Sequence, residues 1–113
     1  MVPKIKILII DDELDYCHIM KHYFEAKNYE VTLANTIFTG LELLREKNPD
    51  ILFLDNNLPD GEGWKHLDEI IFNHPAIKVH LISAYKSRDK NPSETNIRIW
   101  EKPISLHGLD AFF

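Results

Sequence analysis

The strongest constraint in this chain is its rhythm: apolar runs of strand length alternate with stretches in which apolar residues return every three or four positions. "KILII" (6–10), "DILFLD" (50–55) and "IKVHLIS" (77–83) are the runs with the most continuous apolar character, as strands covered on both faces require. "YEVTLA" (29–34) and "IRIW" (97–100) alternate, at least in part, which suits edge strands with one more exposed side. Between the runs, Leu14, Cys17, Met20 and Phe24 share one helical stripe, Ile37, Leu41 and Leu44 a second, and Trp64, Leu67, Ile70 and Ile71 a third. Each stripe predicts a helix face packed on a sheet.

Five strands joined by helices demand a parallel sheet with right-handed crossovers. Placing the alternating strands outermost gives a doubly wound α/β fold with the flavodoxin-like order 2-1-3-4-5. At 113 residues and 44% hydrophobic content the chain fits one domain, residues 1–113, around one core. Eighteen acids against thirteen Lys and Arg leave a net charge of −5, which disfavours direct nucleic-acid binding. The single Cys17 cannot form an internal disulfide, and no Cys/His group has zinc-ligand spacing. The opening "MVPKIKILIIDDE" holds too short an apolar run for a membrane span, so a cytoplasmic protein without a membrane partner is expected.

In a sheet of this kind ligands gather at the carboxyl ends of the central strands. Asp11 and Asp12 follow strand 1, Asp55 ends strand 3, Ser83 ends strand 4 and Lys102 follows strand 5. Carboxylates meeting there repel, each close pair by about 4 kcal/mol at an effective dielectric near 20. The arrangement therefore calls for a cation. An all-oxygen pocket with access to water suits Mg2+. Asp55, backed by a buried strand, is placed to attack phosphorus and become an aspartyl phosphate. Lys102 offers a positive charge and Ser83 a hydroxyl to phosphoryl oxygens. A cis Lys102–Pro103 bond is one way to aim the ammonium inward.

"ILIIDDE", "DILFLDNNLPDG", "LISA" and "WEKP", in this order and spacing, resemble the receiver domain of two-component response regulators, over nearly the whole chain. The resemblance implies that Asp55 is the phosphoacceptor and that Asp11, Asp12, Asp55 and the backbone carbonyl of Asn57 hold magnesium. Ser83 then resembles the hydroxyl residue that shifts toward the phosphoryl group, and Lys102 the family's lysine. Asn57 and Tyr85 correspond to positions that control water access, and so the lifetime of the acyl phosphate. The implied donor is a phosphohistidine on a sensor histidine kinase or histidine phosphotransfer protein, with output through protein contacts or a downstream domain.

Plainer readings stand beside these. Asp12 could cap the helix starting near Glu13, Asp55 could be an ordinary strand-ending residue, and Ser83 and Lys102 could be surface groups. His18 and His22 stand four apart without a third metal ligand and read as a solvated helix face, while Cys17 reads as core and "GEG" (61–63) as loop geometry. A haloacid-dehalogenase-type phosphatase would need an acid two residues after Asp55, where Asn57 stands, and an amide cannot protonate a leaving group. A contact-only pseudo-receiver is the other alternative, and the intact Asp11, Asp12, Asp55, Ser83 and Lys102 argue against it.

Three features depart from the family pattern. The segment 84–96 has Tyr85 as its only large apolar residue and Pro92 within it, so the fourth helix is expected to be short or missing. Ile99 stands where the family's switch aromatic usually lies, with Trp100 beside it on the opposite strand face. After Pro103 the chain allows only a short helix with Leu106, Leu109, Phe112 and Phe113 as its apolar face, an ending expected of a truncated or continuing protein.

Overall fold

A computed structural model gives the structure of residues 3–84 and 96–113. Strands β1 (Lys6–Ile10), β2 (Glu30–Ala34), β3 (Ile51–Asp55), β6 (Lys78–Ser83) and β7 (Ile97–Glu101) form one sheet in the order β2-β1-β3-β6-β7. Every neighbouring pair in it is parallel, so the five long strands run 2-1-3-4-5 as their burial patterns require. The central β3 is buried along its whole length, whereas the edge strands β2 and β7 keep partly exposed positions. Four α-helices stand among the described residues: α1 (Leu14–Ala26), α2 (Ile37–Lys47), α3 (Leu67–Asn73) and α4 (Leu106–Phe112). The shortened fourth helix was expected within 84–96, of which 85–95 lie outside the described residues. No described helix is long and apolar enough to cross a membrane.

The two-residue period of the strands sorts the core into two layers. Leu8, Ile10, Leu52, Leu54, Val79 and Leu81 face one way and pack with Ile37, Leu44 and Ile70 of α2 and α3. Ile7, Ile9, Ile51, Phe53 and Ile82 face the other and pack with Cys17, Met20 and Phe24 of α1 and Leu109 of α4. Phe24 is the hinge of this second layer. Its ring lies 5.0 to 5.5 Å from those of Tyr23, Tyr29, Phe53 and Phe113, contacts worth about 1 kcal/mol each beyond burial. Gly40 lets α2 approach β1, because a β-carbon there would overlap the Ile10 side chain.

Several helix positions differ from their expected faces. Leu14 is 56% exposed at the first turn of α1, so the buried stripe starts at Cys17. In α4 only Leu109 is fully buried, with Leu106 and Phe112 nearly half exposed, because a seven-residue helix turns little of itself to the sheet. Phe113, just past α4, does pack in the second layer. The "GEG" stretch is also more ordered than a loop. Gly61 and Glu62 form β5, paired antiparallel with β4 (Asn57–Leu58), and Gly63–His66 makes one 3-10 turn before α3. Gly61 holds φ at +140°, a conformation that suits glycine.

Capping defines the start of α2. Thr36 accepts from the Thr39 amide at 3.1 Å, while Asp60, from the β4–β5 hairpin, accepts from the Ile37 and Phe38 amides at 2.8 and 3.0 Å. These bonds hold the Asp60 carboxyl below its usual range. A hairpin that follows β3 is thereby tied to the helix that precedes it.

Candidate functional site

Parallel strands deliver their C-terminal residues to one edge of the sheet. Asp11 and Asp12 leave β1, Asp55 ends β3, Ser83 ends β6, and Lys102 follows β7. One carboxylate oxygen from each of Asp11, Asp12 and Asp55 lies within 4.8 Å of the others, a trio that can hold a metal ion. Asp11 and Asp55 are buried, and Asp12 is exposed at the mouth.

Lys102 is the cation among them. Its ammonium, on a side chain 12% exposed, stands 3.0 Å from Asp11 Oδ2, 3.3 Å from Asp55 Oδ2 and 2.9 Å from Glu13 Oε1. The Lys102 amide donates to the Ser83 carbonyl at 2.8 Å, fixing the chain as it leaves β7. The Lys102–Pro103 peptide is cis. Burial works against the charged lysine, but hydrogen bonds to Glu13 and Asp11 overcome it and raise its pKa above the ordinary range.

Asp55 shows the opposite balance. Burial and then the neighbouring Asp11 charge push its pKa up to about 6, against the pull of Lys102 and an amide hydrogen bond from Asn57. Asp11 is bound more fully: its Oδ1 accepts from the Glu13 amide at 3.0 Å, and its carbonyl accepts from Asn35 Nδ2 at 3.0 Å and Cys17 Sγ at 3.3 Å. Its Oδ2 is buried, has no hydrogen-bond partner among the described residues, and meets Lys102 as an ion pair. A buried, under-satisfied carboxylate oxygen facing two other carboxylates is a donor set suited to a hard cation.

The capping alternative for Asp12 gives way to another arrangement. Glu13 occupies the N-cap position of α1, and Asp11, not Asp12, accepts a hydrogen bond from its amide. Ser83 is half-buried at the end of β6, and Asn57 is exposed on β4. Tyr85 lies outside the described residues. His18 and His22 are exposed on α1, and Cys17 is core, its thiol pushed up to about 12 by burial and the Asp11 charge.

The register of β7 separates its two central residues. Ile99 packs toward the α2 and α3 layer, while Trp100 faces the α1 and α4 layer. There the indole N–H donates to His80 Nδ1 at 2.8 Å, and the His80 ring stacks on Phe53 with centroids 4.7 Å apart. Burial, with help from Arg98 and Lys78, lowers the His80 pKa to about 4, so this imidazole stays neutral at neutral pH.

Two features of the site escape sequence reasoning. Glu13 reaches Lys102, and its only signal is that it is the third acid in "IIDDE". Gly63 fits beneath the site because a β-carbon there would overlap the Asp55 carbonyl oxygen. Asn56 closes the same turn, its carbonyl accepting from the Gly63 amide at 3.0 Å and its Oδ1 from the Trp64 amide at 3.2 Å. Since the obstacle is backbone, Gly63→Ala is expected to cost about 2 kcal/mol in urea unfolding, as overpacking that neighbours cannot relieve does.

A cavity of about 330 Å3 between α2 and α3, floored by Leu41, Leu44 and Ile70, contains none of the clustered acids.

Comparison with known proteins agrees with this geometry. Residues 7–100 match the family described as response regulator receiver domain. Transcriptional regulatory protein ZraR of Klebsiella oxytoca is 34% identical over 86 residues, which cover 76% of this chain and 19% of that protein. The chain thus spans about a fifth of the length of the curated relatives it matches. Among solved structures, a two-component response regulator from Clostridium difficile superposes with a TM-score of 0.84 at 26% identity, covering 96% of this chain and 92% of the other. The receiver domain of the hybrid histidine kinase CckA superposes at 0.80 with 25% identity, covering 95% and 94%.

Proposed function

This chain belongs to the response regulator receiver domain family, and we propose that it accepts a phosphoryl group on Asp55 from a phosphohistidine. The observation that carries this reading is the placement of a buried carboxylate within 4.8 Å of two others and 3.3 Å from a lysine ammonium. Family membership and the acid cluster support a single receiver domain over residues 1–113.

The Asp55 carboxylate attacks phosphorus, forming a carboxylate–phosphorus bond as the phosphorus–nitrogen bond of the donor breaks and its electron pair returns to the imidazole. Attack by water reverses the state, releasing inorganic phosphate and restoring the carboxylate. Asp11, Asp12, Asp55 and the Asn57 carbonyl would hold Mg2+, which neutralises charge on the transferring group. Lys102 would offer its charge to a phosphoryl oxygen, and the Ser83 hydroxyl would donate to another. Asn57 and Tyr85 govern the approach of water. The donor is a sensor histidine kinase or histidine phosphotransfer protein, and the output passes through protein contacts or a downstream domain. Each step converts the chain itself, so the reaction is self-assisted phosphorylation and dephosphorylation, not turnover of a separate substrate. Against the phosphatase reading stands Asn57, whose amide N–H is too weak an acid to protonate a leaving group.

Incubation with acetyl phosphate and magnesium, followed by intact mass, tests this. The chain is expected to gain the mass of one phosphoryl group, and a chelator is expected to abolish the gain. Continuous release of phosphate from many small phosphoesters would favour the phosphatase instead.

A further inference from the structure

The Lys102 ammonium has three protons to place. They face Glu13 Oε1 at 2.9 Å, the Asp11 carboxylate at 3.0 and 3.2 Å, and Asp55 Oδ2 at 3.3 Å. Asp11 and Asp55 belong, with Asp12, to the trio able to hold a metal. The ammonium therefore lies against the same carboxylates that a divalent cation would use, and two cations sharing them repel.

Among the described residues Glu13 is the charged partner outside that trio, and the Tyr16 ring, 5.5 Å from the ammonium, is an uncharged one. The Glu13 side chain is 61% exposed, whereas those of Asp11 and Asp55 are at 0% and 4%, so of these three carboxylates it alone has room to follow the ammonium outward. The backbones on both sides are pinned: the Glu13 amide by Asp11 Oδ1 at 3.0 Å, the Lys102 amide by the Ser83 carbonyl at 2.8 Å. Side chains can thus exchange partners while the strands stay in place.

We propose that Glu13 positions Lys102, taking its ammonium from Asp11 and Asp55 when a divalent cation joins the carboxylate trio and keeping it beside the site for the phosphoryl group. The inference rests on the reading of the site as a magnesium-dependent phosphoacceptor. Without Glu13 the lysine either remains on the trio in competition with the cation or leaves for water.

A double-mutant cycle read by calorimetric magnesium titration of the whole chain tests this, using Glu13→Gln, Lys102→Met and the pair. Glu13→Gln is expected to weaken magnesium binding about fivefold, with the effect shrinking below about twofold once Lys102 is Met. Glu13→Asp, which keeps the charge, is expected to recover part of the loss. The Lys102 side-chain NMR signal should shift on adding magnesium in the wild type and move differently in Glu13→Gln. Equal weakening in both lysine backgrounds would mean simple attraction between Glu13 and the cation and would overturn the proposal, as would no change at all in Glu13→Gln. Phosphoryl uptake is followed on the same samples. Coupling without uptake overturns only the phosphoacceptor reading, uptake without coupling overturns only the role of Glu13, and a wild type that binds no magnesium overturns both.

Discussion

Asp55→Asn is expected to stabilise the metal-free protein near pH 7.5 by about 2 kcal/mol, a gain that should vanish toward pH 4. The reason is the raised pKa of Asp55, about 6 against an ordinary 3.8, caused first by burial and then by the Asp11 charge. A carboxyl with a raised folded-state pKa binds a proton more tightly folded than unfolded. Its contribution to stability is therefore full below pH 4 and is lost as pH rises through 6. A shift of this size corresponds to about 3 kcal/mol, reduced to about 2 because Asn also removes one partner of Lys102. Urea unfolding of both proteins at the two pH values measures the difference directly. Comparison at matched pH cancels His80, whose lowered pKa acts with the opposite sign: it favours the fold above pH 6.5 and costs stability as pH falls toward 4. Equal stabilities at pH 7.5 would mean that Asp55 is not strained by its surroundings.

Lys102→Met is expected to destabilise the metal-free protein by about 3 kcal/mol near pH 7.5, the largest loss at this site. The substitution keeps an apolar stem but leaves Asp11 and Asp55, both nearly inaccessible, without their cation. Magnesium should restore much of the loss, because a ligand that binds only the folded state stabilises it by mass action. Restoration by sodium at the same ionic strength would instead point to general screening. Asp55→Asn added to Lys102→Met should recover more stability than it gives the wild type, since the carboxylate then has no compensating charge. The two variants thus move in opposite directions from one electrostatic cause.

Much of this architecture is legible in the sequence for a simple reason. Strands buried on both faces must be continuously apolar, so "KILII", "DILFLD" and "IKVHLIS" declare themselves, and a carboxylate at the end of such a run is conspicuous. What the sequence does not reveal depends on distances between remote residues. Leu14 and Phe112 keep the helical spacing of core residues, yet Leu14 is exposed, and Phe112 is nearly half exposed although its ring meets His80 and Trp100. Asp60 looks like a turn residue of "LPDG", yet its partners are amides of α2, more than twenty positions earlier. Trp100 stands beside a missing switch aromatic in the sequence, while its actual partner is the buried His80 on the next strand. Glu13 and Lys102 are 89 positions apart, and nothing in either neighbourhood announces their contact.

The account depends on Asp55 becoming the carrier of a phosphoryl group. Reductive trapping tests this most directly: borohydride converts an aspartyl phosphate to homoserine, and peptide mass spectrometry then locates the altered residue. With acetyl phosphate and magnesium present, homoserine is predicted at position 55, and its yield should fall to background in a chelator. A phosphoryl group found instead on His18, His22 or another acid, with position 55 unchanged, would contradict the account.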